Sequence, residues 1–362
     1  MTKKLLHFSV ILSVVLFTGA GCLNVGGAQP TTSGPSGMYL TANKGETWSA
    51  ISAMPTNQGV QNLDSYSVFG LVEDTQDSQG LYWLSRESGL FYSFDSGASW
   101  KQSGVPFNAS LVRSLTVHPK DSCTIYATNG RQVFKTVDCV RSWTEVFSEI
   151  RTTDSITAVA FDPFHPENIY VGESNGDLLK STDAGRTWAV VYNFGGTSYI
   201  RDLSFDTNKD GLVFVSTLQN GLFRSKDSGA TWTDLSLKLA EYPGSTDFRR
   251  FYIYPSKAEE IYWISKYGVL TSRNAGEDWE PLKLVTPPGS VDIYGFTVSR
   301  SNSKEIYYTG TIDYRSSFYR SMDGGKTWET RKLPSGQLPT VLYSHPNNDG
   351  WIYLGYTIPV EE

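Results

Sequence analysis

The sequence predicts an all-β chain: a seven-bladed β-propeller of four-stranded antiparallel blades, closed by N- and C-terminal half-repeats sharing one blade. Three observations predict it. An eight-residue motif ending in Trp recurs seven times. A rhythm of four short alternating segments surrounds most copies. Composition agrees, because 14% aromatic residues, 33 Gly and only 19% charged residues favour strands and turns over helices. A chain of 362 residues is also longer than one conventional core supports, which a repeated unit resolves.

Taken in chain order, the first element is an export signal. Lys3 and Lys4 precede a mostly apolar run from Leu5 to Phe17, followed by Thr18-Gly19-Ala20-Gly21-Cys22. The run falls short of the ~20 residues needed to span a bilayer. Small residues leading into Cys22 resemble a bacterial lipobox, with Gly19 standing where Leu is usual. The resemblance implies a lipoprotein signal peptide over 1–21 and lipidation of Cys22. It places the protein outside the cytoplasm, anchored to the cell envelope by lipid alone. Residues 22–36, rich in Gly, Ser, Thr and Pro, are expected to form a flexible tether, with the propeller over 37–362.

The repeats occupy the chain from Thr41 onward. The clearest copies are Ser181 to Trp188 (STDAGRTW), Ser225 to Trp232 (SKDSGATW) and Ser321 to Trp328 (SMDGGKTW). Weaker ones run from Thr41 to Trp48, Ser93 to Trp100, Thr136 to Trp143 and Ser272 to Trp279. Their acceptor residues are Asn43, Asp95, Asp138, Asp183, Asp227, Asn274 and Asp323. A short Asp or Asn side chain can take hydrogen bonds from turn amides, and Gly allows positive φ. The Trp then opens the next strand and can cover the turn. Only the third copy lacks its glycine, with Val140 in that place.

The strands follow the same order. Around Asp183 they are expected at Ile156 to Phe161, Asn168 to Glu173, Asp177 to Ser181 and Trp188 to Tyr192. The first box has only its third and fourth strands, Met38 to Thr41 and Trp48 to Ser52. The missing pair, Thr340 to Ser344 and Trp351 to Tyr356, stands at the other end. Two half-repeats therefore complete one blade, and a closed ring hides its sheet edges.

The motif resembles the BNR or Asp-box repeat of β-propellers. Among such families the pattern is most similar to single-propeller photosystem II assembly factors, which are exported and carry arginines around the channel on one face. Sialidases, xyloglucanases and sortilin are further relatives. The sialidase F/Y-R-I-P motif is not matched by Phe248-Arg249-Arg250-Phe251. Xyloglucanase-like enzymes work in a cleft between two propellers, and the length here accommodates one.

Cys123 opens a second strand and Cys139 sits in the third box turn. The intervening hairpin turns at Asn129-Gly130, so antiparallel pairing brings the two cysteines together. In an exported chain this predicts a disulfide, worth roughly 3 kcal/mol for so short a loop.

Chemistry is thinly represented. His118, His165 and His345 each precede Pro in the turn after a first strand, which reads as architecture. No metal site, cofactor or phosphate loop is expected, nor is any catalytic residue assigned. The net charge of −6, or −8 without the leader lysines, argues against nucleic acid. Aligned first strands put Phe69, Arg113, Thr157, Arg201, Arg249, Tyr294 and Thr340 at one level of the channel. Arg113, Arg201, Arg249 and Arg250, with Tyr294 beside them, would form a cationic rim suited to carboxylates. The expected function is a non-enzymatic, monomeric envelope scaffold whose rim binds an acidic segment of an envelope protein or complex. Variable loops at Ala53 to Asp64, Leu237 to Thr246 and Gly310 to Ser317 would add specificity. The alternative is a glycan-binding or glycosidase module. It rests on Asp247 and Asp292 as paired carboxylates, which must stand about 5–9.5 Å apart for that chemistry.

Overall fold

The box residues dictate the tightest turns of the molecule. In the copy around Asp183, the Ser181 hydroxyl donates to the Asp183 carboxylate (2.8 Å) and accepts from the Gly185 amide (2.8 Å). The carboxylate also accepts from the Arg186 and Thr187 amides and the Thr187 hydroxyl (2.9, 2.9 and 2.7 Å). Asp95, Asp227 and Asp323 repeat the carboxylate bonds to the closing amide and hydroxyl. Asn43 and Asn274 accept the amide and donate from their own nitrogen to Thr47 and Asp278. Two successive residues adopt positive φ, Ala184 at 58° and Gly185 at 84°. In the third copy Val140 is held at φ 71°, a costly conformation for a β-branched residue. There the Cys123–Cys139 disulfide ties the turn to the adjoining strand.

The computed structural model describes residues 32–195, 198–218 and 220–358. The expected signal peptide over 1–21 and the expected lipidation site Cys22 lie outside them. Seven four-stranded antiparallel sheets are present among the described residues. Blade 1 combines Leu338–Ser344 and Ile352–Thr357 with Gly37–Thr41 and Ser49–Ala50, so the split blade closes the ring. Blades 2 to 7 follow at 70–102, 114–148, 156–193, 200–234, 248–281 and 292–331. The expected strands around Asp183 fall at Ile156–Phe161, Ile169–Glu173, Asp177–Ser181 and Ala189–Asn193.

Neighbouring blades are sewn together by side chains from the repeat. Four of the seven box tryptophans donate backward to the preceding blade's outer side: Trp100 to Ile51 O (2.6 Å), Trp143 to Ser103 Oγ (3.0 Å), Trp188 to Val146 O (3.1 Å) and Trp328 to Lys283 O (2.8 Å). Second-strand tyrosines donate forward to the next box turn: Tyr126 to Ala184 O, Tyr170 to Ser228 O and Tyr353 to Ser96 O. Apolar clusters fill the space between, as where Tyr82, Phe107 and Leu115 of successive blades meet.

Each blade starts at the channel and works outward, which sorts the loops by rim. The first strand ends at one rim, where the box turns also lie. The hairpin between second and third strands, and the connection into the next blade, occupy the opposite rim. On the box rim, Asp74, Asp162 and Asp206 cap the turn after the first strand by accepting backbone amides. His118 and His345 do the same through Nδ1, accepting from Lys120 and from Asn347 and Asn348. His165 is not equivalent to them, since it lies three residues beyond the capping position filled by Asp162.

Three expectations about loops are revised. Ala53 to Asp64 contains a two-stranded hairpin, Ala53–Thr56 with Gly59–Asn62. Leu237 to Thr246 begins inside the short helix Ser236–Leu239. Gly310 to Ser317 is an extension of paired strands Ile306–Ile312 and Arg315–Ser321 rather than a loop. The tether also ends sooner than expected. Ser33 O accepts from the Gly336 amide, Gly34 O from Gln337, Pro35 O from Ser335, and Ser36 bonds to Asp64 O.

Candidate functional site: a cationic channel mouth

The seven residues aligned at one level owe their orientation to a β-bulge repeated at the start of every first strand. Thr157, Arg201, Arg249, Tyr294 and Thr340 each fall inside a register shift against the second strand. The Arg113 and Phe69 amides likewise donate to Thr128 O and Leu84 O, residues already paired with Ser114 and Gly70. An extra residue in a strand re-aims its side chain. Here five of the seven, Phe69, Arg113, Thr157, Arg201 and Arg249, line the channel mouth.

A cavity of about 250 Å3 gathers Phe69, Arg113, Thr157, Arg201, Arg249 and Arg250. The four expected arginines therefore do converge, and Arg86 joins them. Burial, then the charges of Arg201 and Arg86, push the Arg113 guanidinium below its ordinary pKa. Burial and Arg86 do the same to Arg201, against the opposing pull of Asp202. Arg86 lies over the Phe69 ring and Arg113 over Tyr199, with guanidinium carbons 4.9 and 5.5 Å from the ring centroids. Among the described residues, Arg86, Arg113 and Arg201 have no ion-pair partner. Arg151 contrasts with them, being bound by Glu149, Asp154, Glu173 and Asp177.

Arg249 and Arg250 play different parts. Burial works against the Arg249 charge, but hydrogen bonds to Asp292 (3.1 Å) and Asp247 outweigh it and raise its pKa. The carboxylates considered as a catalytic pair are thus both engaged by one guanidinium. Tyr294 adjoins this trio, its hydroxyl pKa raised by burial and then by Asp292. Arg250 reaches from blade 6 to Thr340 O on blade 1 (2.6 Å), bracing the mouth. Burial holds its pKa down, and Asp202 opposes that shift.

Behind the mouth lies a channel cavity of about 820 Å3, sharing Phe69, Arg113 and Asp202 with it and reaching Pro119, Pro163 and Pro346 on the box rim. Its far wall carries Arg300, which donates to Glu73 and lies over the Tyr343 ring. Sequence alignment missed Arg86 and Tyr199 because neither sits at a repeated position. Arg86 belongs to the hairpin of blade 2 and Tyr199 to the connection into blade 5. The arginine rim also exposes apolar side chains, among them Ile150, Leu237, Val285 and Ile312.

The sequence profile of the family described as Sortilin-Vps10, "Sortilin, neurotensin receptor 3", matches residues 36–175. A xyloglucanase of Paenibacillus sp. is 25% identical over 284 residues, covering 72% of this chain and 24% of that enzyme. The chain thus spans less than a quarter of the length of that curated relative. Among solved structures, the GH74 enzyme of Niastella koreensis superposes with a TM-score of 0.60 at 17% identity, over 80% of this chain and 51% of that one. A structure described as "YCF48 bound to D1 peptide" gives 0.59 at 13% identity, over 92% of this chain and 100% of that one. The likeness is one of fold. It joins a non-catalytic expectation and a glycan-active one to the same architecture, so the site's own geometry must choose between them.

Proposed function

We propose that this chain is a non-enzymatic envelope lipoprotein that binds an acidic segment of a partner protein at its arginine-bearing channel mouth. The observation that carries the reading is a recess shared by Arg113 and Arg201, neither of them ion-paired among the described residues, with the charge of Arg86 acting on both. A fold gains nothing by holding like charges together in a partly desolvated site, whereas a carboxylate entering it would satisfy several forks at once. Exposed apolar residues elsewhere on the same rim suit a protein surface. A propeller of similar fold, YCF48, has been solved bound to a peptide. The glycosidase alternative is weaker here, because Arg249 occupies both Asp247 and Asp292. Export and lipidation at Cys22 belong to the same proposal.

The test is affinity capture from native envelopes with wild type and an Arg113→Ala/Arg201→Ala variant of matched melting temperature. A protein with an acidic segment, recovered only by wild type and released by salt, is expected. Indistinguishable captures would make the mouth structural.

A further inference from the structure

The connection from blade 3 into blade 4 gathers acidic groups around one guanidinium. Glu149, Arg151 and Asp154 stand on the connection itself, and Glu173 and Asp177 on the hairpin of blade 4 beside it. Arg151 donates to both Glu149 oxygens (3.0 and 2.9 Å), to Asp177 (2.9 Å) and to Glu173, and Asp154 lies 3.1 Å from its Nε. Arg131 of blade 3 holds the same connection by donating to the carbonyls of Glu149, Arg151 and Asp154. Asn175 and Asn193 donate to Asp177. From blade 5 the apolar Ile200 meets the Glu173 strand, at Gly172. None of these charged groups lines the cavity of the mouth.

Glu173 is the misfit. Its side chain is 0% exposed and that of Glu149 4%, so two carboxylates meet where water does not reach. They lie within hydrogen-bonding distance of each other. Both oxygens of Glu149 have donors, but among the described residues nothing donates to Glu173 Oε1. Burial and like charge both oppose a second ionised carboxylate in such a contact. One proton resolves both faults, since it removes a charge and makes the pair a hydrogen bond.

We propose that Glu149 and Glu173 share one proton, and that this proton is a clasp fastening the connection 149–155 to blade 4, released as the surroundings become more alkaline. Burial first, then the Glu149 carboxylate, push Glu173 up to about 8 against the pull of Arg151. Glu149 is held down, first by its hydrogen bonds from Arg151. The closed arrangement therefore binds the proton more tightly than an opened one, where a hydrated Glu173 returns to the ordinary 4.5. The clasp is complete below 4.5 and is lost as pH rises through about 8. Glu173 ends the strand Ile169–Glu173, which is paired on both sides, so it cannot swing out to water. The connection, which forms no strand, is the part that moves.

The experiment uses the full chain and reads the proton and the clasp separately. Infrared spectra of wild type minus Glu173→Gln cancel every other carboxyl. At about pH 6, where ordinary carboxylic acids are ionised, the difference should show the carbonyl stretch of a protonated acid, and titration toward about pH 9 should remove it. Absence of that signal overturns the shared proton. Hydrogen exchange of peptides covering 149–155, corrected for intrinsic rates, reads the clasp. Loss of one proton favours opening by up to about tenfold per pH unit, so wild-type protection should fall at least tenfold between about pH 5.5 and about pH 7.5. Protection in Glu173→Gln should stay constant over that range. Constant protection in wild type, or an equal fall in the variant, overturns the clasp. If Glu173→Gln does not fold, Glu149→Gln replaces it. Removing the partner carboxylate should move both the infrared titration and the loss of protection to lower pH, and titrations that stay in place overturn the pairing.

Discussion

At the scale of single residues, the arginines of the mouth fall into two groups with opposite consequences for stability. Arg201 stands at the open edge of the mouth, where desolvation by the channel wall and then the charge of Arg86 lower its pKa against the pull of Asp202. No working pH deprotonates an arginine, so the repulsion is a constant cost to the fold. Replacing Arg201 with Gln should leave the melting temperature unchanged or raise it, in the manner of functional sites kept at the expense of stability. Arg249→Ala should lower stability by about 1 kcal/mol, because it leaves Asp247 and Asp292 facing each other. Thermal unfolding of the two variants side by side checks the division. Equal losses would mean that both arginines are structural.

At the scale of the repeated element, the turns carry acid sensitivity of known sign. Asp138, Asp183, Asp227 and Asp323 are held at about 2 by the hydrogen bonds of the box. Their folded pKa values lie below the ordinary 3.8, so their contribution is present above that value and lost as pH falls toward 2. His118 and His345 also titrate below their ordinary 6.5, chiefly through burial. Each caps its turn as an unprotonated acceptor, so that contribution is complete above 6.5 and declines as pH falls below it. Unfolding followed against pH should show two declines, one beginning below about 6.5 and one below about 4. His345→Asn, which keeps an acceptor without titrating, should shrink the first and spare the second. An unchanged first decline would refute the capping role.

The boxes also show what a sequence can disclose. Seven Trp-terminated copies settle the blade count, because each residue type answers a local requirement of one turn. The Cys123–Cys139 pairing is legible for the same reason, since its hairpin is local. The common level of Arg113, Arg201, Arg249 and Tyr294 is legible as an alignment, but the bulge that turns those side chains inward depends on pairing with the second strand. Arg86 and Tyr199 are invisible because they reach the mouth from non-repeated loops. The engagement of Asp247 and Asp292 by Arg249 is hidden too, since blade-to-blade geometry decides which carboxylates one guanidinium reaches.

At the scale of the whole molecule, closure and polarity belong together. The half-repeats that complete blade 1 bring Thr32 and Ile358, the first and last described residues, to the arginine rim, and side chains clasp the join. Arg300 of blade 7 reaches Glu73 of blade 2 across Tyr343 of blade 1, and Lys44 bonds Glu305 (2.9 Å) and Asp349 (3.2 Å). The ring is therefore a rigid frame with turns capped on one rim and unpaired cations on the other. That asymmetry is the basis for reading the arginine rim as the working face. Its most direct test is calorimetric titration of hexaglutamate into wild type and into Arg113→Ala/Arg201→Ala, at low and at physiological salt. Wild type should bind, more weakly as salt rises, and the variant should bind at least ~10-fold less tightly, a difference of about 1.4 kcal/mol. Equal binding by both proteins, or none by wild type at low salt, would contradict a working arginine rim.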